Sequence, residues 1–251
     1  VSNGVHPDHH AWWIHPEDGS FMIDGNDGGM NITHDGGKSW RFVGNLPVAQ
    51  FYHINVDNEF PYNVYGGMQD NGSWRGPAYV WKAQGIRNSY WQEISFGDGF
   101  DVVPDRDDSR YGWSMSQQGF VSRYDWMTGN NYTVKPTHPD PDVELRFNWN
   151  SAINIDPFNN NTIYFGSQFV HKSTDNGLTW SPQVAISTDD LERAAVTSDA
   201  VDGSAFSGRT YAAWIKFAQP FPLMLSYTDN GGQTWSAPQQ INNPPVRSAG
   251  G

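Results

Sequence analysis

Apolar residues in this chain come in short runs separated by Gly, Asn, Asp and Pro, and no long stretch has the 3.6-residue apolar period of an amphipathic helix. Runs of this kind, bounded by turn formers, read as β-strands. They recur in pairs. An opening run ends in a Pro or Asp turn, and a second run ends in Gly or amides. The opening runs are 9–16, 51–57, 99–104, 150–157 and 193–199, and the second runs are 21–25, 63–67, 111–114, 162–166 and 209–214.

The turn residues Pro16, Asp57, Pro104, Pro157 and Asp199 are separated by 41, 47, 53 and 42 positions. About 40–50 residues is the length of one four-stranded propeller blade. The spacing predicts a single all-β domain over 1–251, a β-propeller of four-stranded antiparallel blades. Its blade-like repeats fall at about 5–45, 46–92, 93–145, 146–190 and 191–242, with 243–251 as a flexible tail. Two arrangements stay open, a five-bladed ring or part of a larger ring. An incomplete ring leaves a bare sheet edge and predicts self-association.

An eight-residue pattern, Ser/Thr-x-Asp-x-Gly-x-Ser/Thr-Trp, marks three of the repeats. It is clean at Thr33–Trp40 and Ser173–Trp180 and blurred at Thr228–Trp235. An Asp carboxylate accepts backbone N–H bonds, Gly takes a positive φ, and Trp closes the turn with apolar surface. Asp35, Trp40, Asp175, Trp180, Asp229 and Trp235 are therefore read as structural staples, not catalysts. In the third copy, either Asn230 substitutes for Asp or Asp229 does so with one extra residue.

The pattern resembles the Asp-box, or BNR repeat, of sialidase-like β-propellers. Residues 1–180 resemble the large bacterial Asp-box proteins of the glycosyl hydrolase and sortilin-like group. The residues that carry this are Asp8-His9-His10-Ala11, Gly25-Asn26-Asp27-Gly28-Gly29, Gln50-Phe51-Tyr52, the run from Pro61 to Gly72, Gly97-Asp98-Gly99-Phe100 and Gly166-Ser167-Gln168. Residues 181–251 are instead similar to a sialidase repeat, through Tyr211-Ala212-Ala213-Trp214, Leu225-Ser226 and Thr234-Trp235-Ser236-Ala237-Pro238. The resemblance implies a bacterial protein that is secreted, periplasmic or on the cell surface, and that acts on or binds carbohydrate. Sialidase activity proper is not expected, because no Arg-Ile-Pro occurs and the chain has only five Glu.

Composition narrows the partners. A net charge of −12 opposes nucleic acid and anionic membrane as main partners. The absence of Cys excludes a disulfide scaffold and thiol chemistry, and no stretch is apolar enough to insert into a membrane. No P-loop, dinucleotide fingerprint or Gly-x-Ser-x-Gly is present.

Carbohydrate is the expected ligand, an oligo- or polysaccharide. The repeat ends carry His9, His10, Gln50, Tyr52, Gln69, Asn71, Gln117, Gln118, Asn148, Trp149, Asn150 and Gln168. Amides bond sugar hydroxyls, and aromatic faces stack on the apolar side of a pyranose. Glycoside hydrolysis needs two carboxyl groups. Asp70 and Asp98, both in Gly-rich turns, are the candidate pair, and Asp101 is the reserve. The alternative is a non-catalytic propeller that binds glycans or peptides. No cofactor is called for, with a structural calcium left open as the alternative. Asp8, His9 and His10 with His6 and His53 contain metal-ligand types, but turn and packing roles explain them better. Asp24–Gly29 resembles the start of a calcium loop, yet Gly28 stands where the fifth position needs an oxygen, and a hairpin accounts for it better.

Overall fold

The computed structural model describes residues 4–46, 48–181, 184–188 and 191–242, and of 191–193 only the backbone. The tail read at 243–251 lies outside the described residues.

Five four-stranded antiparallel sheets follow one another along the chain, each made of four consecutive strands. The first is β1 (His9–Ile14), β2 (Met22–Asn26), β3 (Gly29–Thr33) and β4 (Arg41–Phe42). The second is β5 (Ile54–Val56), β6 (Asn63–Gly67), β7 (Ser73–Pro77) and β8 (Gln92–Ser95). The third is β9 (Gly99–Pro104), β10 (Tyr111–Ser116), β11 (Phe120–Asp125) and β12 (Asn130–Thr133). The fourth is β13 (Ile153–Ile155), β14 (Ile163–Gly166), β15 (Phe169–Ser173) and β16 (Val184–Ala185). The fifth is β17 (Leu191–Ser198), β18 (Thr210–Lys216), β19 (Leu223–Thr228) and β20 (Gln239–Gln240). These are the blades of a propeller, as the spacing predicted. One boundary moves. Residues 92–95 form the outer strand of the second blade, paired with Ser73–Arg75 and anchored by buried Ile94, so the third blade starts at 99 and not 93.

The core lies between sheets. Phe100, Trp113, Met115 and Val121 of the third blade pack on Ile153, Ile155, Ile163 and Phe165 of the fourth. Tyr65 and Ile94 of the second meet Val102 and Tyr124 of the third. The third sheet buries both faces in this way, one against the second blade and one against the fourth, which is why its central strands carry apolar residues on both faces. The first blade differs. Trp12, Trp13 and Ile14 on its innermost strand are each about half exposed. Among the described residues, strand β17 of the fifth blade packs on β13 and β14 of the fourth, and β5, β6 and β7 of the second pack on β9 of the third.

The eight-residue turns join third strand to fourth strand in the first, fourth and fifth blades. In the fourth blade, Asp175 Oδ1 accepts from Ser173 Oγ (2.7 Å) and Thr179 N (2.8 Å), and its Oδ2 accepts from Thr179 Oγ1 (2.6 Å). Asp35 makes the same bonds with Thr33 and Ser39. In the fifth blade the position belongs to Asn230, which accepts from Thr228 Oγ1 (2.9 Å) and Thr234 N (3.0 Å). Asp229 is not part of the staple. It faces outward and pairs with the Arg209 guanidinium at 2.6 and 2.9 Å. The turns also clasp the preceding blade: Trp180 Nε1 donates to Val134 O (2.9 Å), and Gly231 O accepts from Lys172 Nζ (2.7 Å).

Candidate functional site

Because strands alternate in direction, the second-to-third hairpins and the blade-to-blade connections share one end of the propeller, and the stapled turns occupy the other. All of the candidate hairpin residues are at the first end. Gln69, Asp70 and Asn71 sit between β6 and β7, Gln117 and Gln118 between β10 and β11, and Gln168 between β14 and β15.

Between the first two blades, this end opens into a cavity of about 720 Å³. One wall is the β2–β3 hairpin with His10 and Asp27. The other comprises Gln50, Phe51 and Tyr52, which lead into β5, and the 68–71 hairpin with Trp74 beneath it. The volume lies in the range of small-ligand sites, about 300–1,000 Å³. The Asn71 side chain donates to Asp27 O across the blades (2.8 Å), and Trp74 Nε1 donates to Asn71 O (2.5 Å). Tyr52 Oη donates to Gln69 Oε1 (2.5 Å), and its ring rests on Phe100 at 4.8 Å between centroids. The exposed Tyr52 is thus held by its hydroxyl and its ring.

Asp70 takes a positive φ of 62°, which turns its side chain out of the hairpin. Its N–H donates to Asp98 Oδ1 (2.8 Å), and Asp98 N donates to Gln117 Oε1 (2.9 Å). Asp98 is buried and does not line the cavity. Burial, and next the negative charge of Asp98, raise the Asp70 carboxyl above the ordinary range, and the Asp27 carboxyl hydrogen-bonded to it adds to this. His10 Nε2 lies 2.5 Å from Asp27 Oδ1. No Lys or Arg is among the described residues lining the cavity.

The cleft therefore gathers His10, Gln50, Tyr52, Gln69, Asp70 and Asn71 of the sequence-read set. Asp98 and Gln117 stand behind it as positioning residues. Asp101 and Asn150 line a separate cavity of about 220 Å³ along the innermost strands. There Asp101 Oδ2 is 2.9 Å from His53 Nδ1, and this bond raises the imidazole above 6.5. His9 turns inward, with Nδ1 2.9 Å from the buried Asp24 carboxylate. That carboxylate also accepts from Asn26 Nδ2 (2.8 Å), and residues 24–29 form the β2–β3 hairpin. The remaining candidates lie on the third and fourth blades, where Gln168 holds backbone with its side chain and Gln118, Asn148 and Trp149 are tied through main-chain atoms. Gln118 N donates to Trp149 O (3.2 Å), Gln168 bonds Arg146 N and Glu144 O (2.7 and 2.8 Å), and Asn148 O accepts from Ser151 Oγ (3.3 Å).

Sequence reasoning gave no ligand-facing role to Asp27 or Trp74. Asp27 was legible only as part of a Gly-rich hairpin, and Trp74 had no motif. It also did not join His6 and Asp8 to Asp70, although the ligand atoms of these three all lie within 4.8 Å of one another.

No protein-family model matches the chain, and no curated protein matches it. Solved structures do. An ancestral GH74 enzyme aligns over 93% of this chain and 31% of its own, at 16% identity and a TM-score of 0.54. The GH74 xyloglucanase from Xanthomonas campestris aligns over 95% and 32%, at 17% identity and a TM-score of 0.49. A chain of the mitotic checkpoint complex aligns over 92% and 66%, at 13% identity and a TM-score of 0.54. The chain spans about a third of the length of the GH74 chains it matches. At these identities the likeness establishes the propeller fold, which carries unrelated functions. Among the described residues, no helix is long and apolar enough to cross a membrane.

Proposed function

We propose that the chain is a carbohydrate-active propeller, of the bacterial Asp-box kind and extracytoplasmic, that takes a neutral oligosaccharide in the cleft between its first two blades. The observation that carries this is the cleft lining. An exposed, doubly anchored Tyr52 stands beside the amides of Gln50, Gln69 and Asn71, in a cavity with carboxylates and no Lys or Arg among its described residues. Aromatic faces and amides suit pyranose rings and their hydroxyls. Asp27 and Asp70, with no Lys or Arg among the described residues of the cavity, would repel a uronic or sialic acid, which favours an uncharged sugar. The likeness to a GH74 enzyme supports the same class of ligand.

Glycoside hydrolysis is the second reading, favoured by that same likeness. It requires two carboxyl groups facing the bond from opposite sides, about 5–10 Å apart. Asp70 faces the cleft, but its partner from the sequence reading, Asp98, is buried behind it and engaged with the Asp70 N–H. Asp27 lies against Asp70 on the same side. Recognition is therefore the better supported role for this chain.

The test is binding to an array of neutral and acidic oligosaccharides, with released fragments read by mass spectrometry. A neutral glycan should bind, and Tyr52→Ala or Gln69→Ala should weaken it about tenfold or more, consistent with roughly 1–3 kcal/mol per stacking or amide contact. Binding confined to acidic glycans, or unaffected by both variants, would overturn the reading. Fragments that vanish in Asp70→Asn would establish hydrolysis.

A further inference from the structure

We infer that His6, Asp8 and Asp70 form a site for a divalent first-row transition-metal ion of the Zn²⁺ or Mn²⁺ class. Their ligand atoms lie within 4.8 Å of one another. Tetrahedral donors at about 2.0–2.2 Å from one ion sit roughly 3.3–3.6 Å apart, so closing on a metal takes side-chain movements of up to about 1 Å.

The scaffold brings these groups together from two blades. Residues 6–8 lie over the β2–β3 hairpin, where Asp27 N donates to Asp8 O (3.1 Å). A Cβ at Gly28 would lie 2.9 Å from the His6 Cβ, so glycine there is what lets His6 settle against the hairpin. Asp70 arrives from the second blade, turned out by its positive φ, with its N–H held by Asp98.

Charge points the same way. Asp105, Asp125 and Asp229 are each matched by an arginine. Asp70 instead has Asp27 and Asp98 beside it, with the His6 imidazole as its nearby basic group, and no Lys or Arg lines the adjoining cleft among the described residues. A bound cation would supply the positive charge that an arginine supplies to the other three, with His6 then acting as a neutral ligand. One imidazole with two carboxylates suits a borderline metal with positions left for water, whereas calcium takes six to eight oxygens. Asp70 also lines the cleft, so the open positions would face a ligand there. The site stands independently of what the cleft binds, and a metal on Asp70 would remove it from proton transfer.

The test uses the chelator-treated 251-residue chain, titrated separately with Zn²⁺, Mn²⁺ and Ca²⁺ by calorimetry, with bound metal counted by mass spectrometry. Expected is one equivalent of Zn²⁺ or Mn²⁺ and a melting temperature that rises with metal. His6→Ala and Asp70→Asn should lose that equivalent while keeping the apo circular-dichroism spectrum. Gly28→Ala replaces no ligand and should weaken affinity about 10–100-fold by displacing His6. If Asp70→Asn fails to fold, His6→Ala and Gly28→Ala decide. No saturable binding by the wild type, binding of Ca²⁺ alone, or unchanged binding in His6→Ala and Gly28→Ala would overturn the site.

Discussion

Gly67 ends β6 where the second blade meets the third. A Cβ at this position would lie 2.2 Å from both the Gly99 carbonyl carbon and the Phe100 nitrogen, and 2.6 Å from the Phe100 oxygen. Non-bonded carbons prefer about 3.5–4.0 Å, so in Gly67→Ala strand β9 must retreat by on the order of 1 Å. It cannot do so freely. Its other edge is paired with β10, and Phe100 is fully buried with Trp113 and Met115. A gap of 0.5–1 Å forfeits a quarter to a half of each contact's attraction. Overpacking typically costs 1–3 kcal/mol, and because the colliding atoms are backbone we expect about 3 kcal/mol, roughly a hundredfold in the folded-to-unfolded ratio. Urea unfolding followed by tryptophan fluorescence measures this. Gly19→Ala is the control, since its Cβ would meet nothing within 4 Å. Coincident midpoints for the two variants would refute the argument that close backbone approach sets the joint between these blades.

The half-exposed His53 should titrate above 6.5 by NMR and fall towards it in Asp101→Asn. Its contribution to stability, about 0.5 kcal/mol after screening, is present below pH 6.5 and lost as pH rises through the folded value; titration below 6.5 would contradict the pairing. The carboxyls of Asp35 and Asp175 are held below 3.8, chiefly by the hydroxyls of Ser39 and Thr179. Their contribution is present above 3.8 and lost as pH falls through the folded values, so Asp175→Asn should flatten the acid limb of the stability profile, measured as melting temperature against pH. Asp175→Ala should lower the melting temperature more than Asn230→Ala, because charged acceptors make stronger bonds than amides; equal losses would argue otherwise. Asp98→Ala leaves the Asp70 N–H without its acceptor and should cost about 1.5–3 kcal/mol by urea unfolding, and Asp98→Asn, which keeps an oxygen, clearly less.

The two inner strands of every blade were legible because each carries an apolar run with a turn at a fixed distance. The stapled turns were legible because their chemistry is local: Thr33 to Trp40 contains every partner that Asp35 needs. Outer strands such as β4, β16 and β20 are two residues long, and pairing with a neighbour defines them. The one misplaced blade boundary, at 93, follows from this. Most of the candidate site residues lie at one end of the fold because hairpins and connections share that end. Which of them converge depends on how one sheet is inclined to the next, and no spacing encodes that angle. Hence Asp70 and Asp98, both in Gly-rich turns, read alike in sequence but face different surroundings. Asp229 and Asn230 likewise differ by one position, and the hydroxyl of Thr228 selects the second.

Every sheet consists of strands that follow one another in the chain, so among the described residues no strand from one end completes a sheet at the other. Blades are coupled only to their neighbours, and the molecule behaves as a one-dimensional stack that opens in from its ends. Amide exchange should be slowest around Trp113 and Ile163, which share the central cluster, and fastest along β1, whose side chains are half exposed. The cleft straddles the joint between that weakest unit and the next. Whatever binds there ties down the blade most prone to fray, and part of its binding free energy is spent on that ordering.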